Sequence, residues 1–87
     1  MDQILAEISE EEIKLLHKDI GLLVKKLREE KGISQLQMAL SIGIKSVAFY
    51  SNCENNKNDK HFNVEHIYKI CKILNIQLSS FFMILQI

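Results

Sequence analysis

At 87 residues, 47% of them apolar, the chain is long enough for one domain with a single core and too short for two. It has no proline and only three glycines, a composition poor in hairpin turns and rich in helix formers, so an all-α architecture is expected. Net charge is zero, which argues against a strongly basic polyanion binder, yet the charge is unevenly placed. Residues 1–12 hold five acids and no base, leaving 11 bases against six acids in the rest, a net of +5. Such a body is compatible with a nucleic-acid partner, with modest long-range attraction.

Ser9 followed by Glu12 forms a capping-box pattern, so a helix is expected from about residue 10. Ile13, Leu16, Ile20, Leu23 and Leu27 then recur at spacings of 3, 4, 3 and 4, an apolar seam on one helical face. This stretch reads either as one helix to about Glu30 or as two, with a break near Asp19–Gly21 where Asp19 could cap and Gly21 weakens continuity. Residues 1–18 are therefore read as an acidic N-terminal extension, helical from about residue 10, and residues 19–87 as the main domain. Lys31-Gly32 supplies a helix stop.

Ser34 is a cap for a short helix over about 35–42, and Ser46 for another over about 47–55. Between them Ala39 lies four residues before Gly43. A small residue there lets two helices approach, and glycine can take the positive φ of a tight turn, the arithmetic of a helix-turn-helix. Residues 55–62, rich in Asn and Asp, read as a polar loop. Asn63 caps a helix carrying Val64, Ile67, Ile70, Cys71 and Leu74 at helical spacing, and Asn75 stops it. A last short helix runs from about Leu78 to Leu85.

Cys53 and Cys71 are far apart and outside any C-x-x-C, so both read as small buried hydrophobes. His17, His61 and His66 lack the spacing of a zinc site, and no metal or cofactor is expected. No nucleophile–base pairing or phosphate-cradling glycine loop is present, so no enzyme is expected either. No signal peptide opens the chain and the apolar end FFMILQI is too short for a bilayer, so a cytoplasmic, nucleoid-associated protein is expected.

In order and spacing these residues resemble the Cro/C1-type (XRE-like) helix-turn-helix transcriptional regulators, a five-helix module of phage repressors, bacterial regulators and many antitoxins. The resemblance runs from about Ile20 to Phe82. It rests on Ile20-Gly21, on Leu27 through Gln35, on Met38-Ala39 and Ile42-Gly43, and on Ile67 through Leu74 with Ile76, Leu78 and Phe81-Phe82. The family's recognition-helix core positions, six and nine after the turn glycine, would be Phe49 and Asn52. Shifting by one gives Tyr50 and Cys53, followed by the family's acidic position at Glu54, so one extra residue is inferred between Gly43 and Ser46.

The resemblance implies a partner, double-stranded DNA, and a set of contacts. On the shifted register Val47, Ala48, Asn52 and Phe49 face outward, where Val47 and Ala48 could touch thymine methyls and Asn52 could read adenine. Ser34, Gln35, Lys45, Ser46, Asn55 and Lys57 would hold phosphates. The helix carries no Arg or Gln for bidentate base contacts, which suits AT-rich sites. At the other end one small domain can bury Phe81, and with it Leu78 and Leu85, but Phe82, Met83, Ile84 and Ile87 cannot all be inside as well. Family members commonly dimerise at this end, so a homodimer through Phe81, Phe82, Met83, Ile84, Leu85 and Ile87 is expected. Leu36 and Leu40 would pack under the extension through Ile4, Leu5 and Ile8, or join an interface. A toxin or other protein partner is the alternative to DNA.

Overall fold

A computed structural model describes residues 7–85, and all regular structure among them is helical: α1 Glu10–Glu30, α2 Gln35–Ser41, α3 Val47–Asn55, α4 Val64–Leu74 and α5 Leu78–Ile84. Most boundaries are set by local chemistry. Ser9 Oγ accepts from Glu12 N at 3.1 Å while Glu12 Oε1 accepts from Ser9 N at 2.9 Å, a reciprocal capping box. Ser34 with Gln37 repeats it on α2, and Asn63 with His66 on α4. Ser46 Oγ caps α3 through Phe49 N at 3.1 Å. Asn56 and Asn75 end α3 and α4 in the left-handed region, which asparagine tolerates better than most residues.

α1 is continuous. The alternative of a break at Asp19–Gly21 is not realised, and the helix runs unbroken from Glu10 to Glu30 across the boundary expected after residue 18. Gly21 serves a different purpose: α3 crosses α1 so closely there that a Cβ would run into the Glu54 carbonyl oxygen. Gly43 does what its turn requires, at φ +84° between α2 and α3.

The core gathers Ile20, Val24, Met38, Ala39, Tyr50 and Cys53 from the first three helices with Ile67, Ile70, Cys71, Leu74 and Phe81 from the last two. α1 packs mainly against α3, and α2 lies against both α3 and α4. The loop after α3 is not wholly polar. Phe62 is buried, its ring 5.3 Å from that of Tyr50. An apolar residue that closes the core from a loop leaves no periodic signal in the sequence.

At the C-terminal end α5 divides its residues. Phe81 on α5 and Leu85 just after it face inward and are buried within the chain, so they leave the set expected at a dimer interface. Phe82, Met83 and Ile84 are exposed, Met83 at 82%. Ile87 lies outside the described residues, as do Ile4 and Leu5 of the extension. Among the described residues no single helix is long and apolar enough to cross a membrane.

Candidate nucleic-acid interface

The geometry of the two motif helices is set by a buried charge network. Glu54, on the last turn of α3, receives Arg28 Nε on Oε2 at 2.9 Å and Arg28 Nη2 on Oε1 at 3.0 Å, a bidentate pair between α1 and α3. Gln35 Nε2 donates to Oε1 at 2.9 Å from the first residue of α2, and the Tyr50 hydroxyl donates to Oε2 at 2.9 Å from within α3. Arg28 Nη1 also donates to the Ile33 carbonyl at 2.7 Å, tying down the α1–α2 connection. Arg28 and Glu54 are 6% and 2% exposed, so both charges are desolvated and each depends on the other.

The ionisation follows from these contacts. Burial would raise the Glu54 carboxyl, but hydrogen bonds from Arg28, Gln35 and Tyr50 outweigh it and hold the group below the usual carboxylate range. The hydrogen bond to Glu54 raises the Arg28 guanidinium against its own desolvation. Burial and then the Glu54 charge push the Tyr50 phenol up, so it stays a donor. In the sequence the two stand apart, Arg28 within the stretch Leu27 through Gln35 and Glu54 at the family's acidic position. Their pairing spans 26 residues, and no local spacing announces it.

With α3 pinned in this way, its faces are defined. Tyr50 and Cys53 are buried and Asn52 is only partly covered, the arrangement of the shifted register. Val47 and Ala48 are exposed on the first turn, next to exposed Lys45 and Ser46. Phe49 is half-buried and packs against the core, which removes most of its ring from an outward surface.

The residues expected to hold phosphates differ in how free they are. The hydroxyls of Ser34 and Ser46 accept from Gln37 N and Phe49 N as caps, leaving each hydroxyl hydrogen to donate outward. Lys45 and Lys57 are exposed at the two ends of α3. Gln35 commits one amide hydrogen to Glu54 and is half-buried, so it sets the position of α2 as well as facing outward. Asn55 turns its amide nitrogen back onto the Ser51 carbonyl at 3.0 Å and hydroxyl at 3.2 Å. That occupies the donor a phosphate would need.

A second polar cluster lies beside the C-terminal end of α3, on the loop that follows. The rings of His17 on α1 and His61 on the loop stack with centroids 3.6 Å apart and planes 14° from parallel. Asn56 Nδ2 donates to the His17 carbonyl at 3.0 Å. His17 Nδ1 is buried without a hydrogen-bond partner, and burial followed by the neighbouring His61 lowers its pKa. His17 thus fastens α1 to the α3–α4 loop, while residues 7–15 before it are exposed. Leu36 and Leu40 remain about half exposed, at 52% and 59%. Cys53 and Cys71 are free and buried, with burial pushing both thiols up. Among the described residues no three His, Cys, Asp or Glu side chains converge on a point that could hold a metal ion.

Two short capped helices about a positive-φ glycine, the second locked to α1 through Arg28 and Glu54, define a helix-turn-helix DNA-binding domain. A helix-turn-helix family model matches residues 24–81, about two-thirds of the chain, and the chain belongs to the Cro/C1-type helix-turn-helix family. It is thus a DNA-binding transcription regulator in the general sense of that family. No curated protein matches the chain.

Proposed function

We propose that the protein is a homodimeric repressor that occupies an AT-rich operator and excludes polymerase from it. The observation that carries this reading is the face of α3: exposed Val47 and Ala48 at its N-terminal end, with Lys45, Ser46 and Lys57 around it. Small apolar side chains at the groove-entering end of a recognition helix favour thymine methyl groups, and Asn52 adds an adenine reader. Without an Arg or Gln on α3, discrimination rests on these contacts and on groove shape, so specificity is moderate. Two copies joined through Phe82, Met83 and Ile84 would present two such helices to successive major grooves. Such a regulator acts in the cytoplasm, on the nucleoid.

Replacing Lys45, Asn52 and Lys57 together with Ala is expected to abolish operator binding while leaving the thermal melt within a few degrees of the parent. A triple variant that binds selected fragments as tightly as the parent would place the recognition surface elsewhere.

A second reading is favoured by Leu36 and Leu40, which leave apolar surface on α2 itself. In that reading the domain is a protein-interaction module, such as an antitoxin, with weak DNA binding of its own. Binding to mixed duplex fragments across a salt titration separates the two, since a DNA-binding domain retains duplex at low salt.

A further inference from the structure

We infer that the N-terminal part of α1, which lies outside the matched helix-turn-helix segment, forms a second DNA-backbone contact, continuous with the recognition helix. This rests on the DNA-binding reading and extends its footprint. Lys14 and Lys18 of α1 share one groove of about 570 Å³ with Lys60 of the α3–α4 loop, with Asn55 at the end of α3 on its wall. The family match covers residues 24–81, so Lys14 and Lys18 lie outside the matched segment.

Three features make the groove a built surface. The His17–His61 stack and the Asn56–His17 bond fasten the loop to α1, so that cations from two elements face one space. Lys14, Lys18 and Lys60 are all exposed, and Asp59 is an acidic member of the lining, which leaves an excess of positive charge. Asn55 belongs both to this groove and to the helix proposed to enter the DNA, so the surface needs no second docking event. Lys14 and Lys18 lie about 6 Å apart along the helix axis. That is one to two phosphate steps at about 3.4 Å of rise per charge on one strand. The chemistry calls for the sugar–phosphate backbone, not base edges, since ammonium groups hold phosphates as point charges without reading sequence.

The test is the salt dependence of duplex binding by the full chain, on a fragment selected from a random pool. Each lost phosphate contact should lower the slope of log K against log salt by about 0.9, and weaken binding about eightfold at ~0.1 M salt. The K14Q/K18Q variant is expected to lose between one and two such contacts with an unchanged thermal melt. K25Q/K26Q removes the same net charge from α1 beginning about 10 Å further along the helix, where Glu29 and Glu30 flank the lysines. It should keep the parent's slope. An unchanged slope and affinity in K14Q/K18Q overturns the inference, as does an equal loss in K25Q/K26Q, which would reduce the effect to net charge. A parent chain that retains no duplex at ~50 mM salt is a different result, because it removes the DNA-binding reading itself.

Discussion

Glu54→Gln is the sharpest probe of how this fold holds its recognition helix. The substitution preserves shape, so no cavity forms, and its effect comes from removing one charge and one acceptor oxygen. In the parent, Arg28 is 6% exposed and its guanidinium is neutralised by a bidentate carboxylate at 2.9 and 3.0 Å. With Gln at position 54, Nε2 cannot accept, so in either amide orientation one Arg28 donor loses its acceptor, together with that of Tyr50 or that of Gln35, and the guanidinium stays buried without a counter-charge. Breaking a buried ion pair from one side typically costs about 3–5 kcal/mol. For a domain whose total stability is about 5–15 kcal/mol, that is a large share.

Urea denaturation followed by far-ultraviolet circular dichroism measures the cost directly, with equal slopes confirming that the unfolded states are comparable. Replacing the three buried members of the network together, R28M/Y50F/E54L, should recover most of the loss, because no buried charge is then left alone. A cost for Glu54→Gln below about 1 kcal/mol, within reach of an exposed pair, would refute the argument that these charges are desolvated and mutually dependent.

Gly21→Ala should destabilise the domain, although glycine in a helix interior ordinarily costs about 1 kcal/mol relative to alanine; the new Cβ would meet the Glu54 carbonyl where α1 and α3 cross, and a stabilised variant in the same urea assay would contradict that close approach. His17 has a lowered pKa when folded, so below the ordinary value of 6.5 the unfolded chain binds the proton more readily and stability falls with pH. The melting temperature should therefore drop between about pH 7.5 and about pH 5.5, and drop less in His17→Gln. Part of the slope will remain from His66, lowered by burial and Lys69 against Glu65, and an identical slope in the variant would remove His17 from the account. F82D/M83D should sediment as a monomer with the fold intact, since both side chains are exposed while Phe81 and Leu85 keep their places in the core. A dimer that persists would move the interface to another face.

The candidate site was partly legible. Ser34, Lys45, Ser46, Val47, Ala48 and Lys57 are exposed near the motif, as their positions around two capped helices suggested. Gln35, Asn55 and Phe49 look equivalent to them in a sequence. The structure separates these three by giving Gln35 and Asn55 intramolecular acceptors and Phe49 a place against the core. A polar side chain reports that it can hydrogen-bond, but not with which partner. The burial of Cys53 in place of Asn52 was readable because Asn is a poor core residue and Cys a good one.

What the amino-acid order determined by itself is where most helices start and stop. Ser9 with Glu12, Ser34 with Gln37 and Asn63 with His66 act across three residues, and Gly43 and Asn75 act on their own dihedrals, so the information is local. Tertiary structure decided the rest. It joined Arg28 to Glu54, turned Gly21 from a suspected break into a crossing point, drew Phe62 out of a polar loop, and sorted Phe81 and Leu85 from Phe82, Met83 and Ile84. Each of these depends on how whole helices pack, a geometry that residues distant in the chain set jointly.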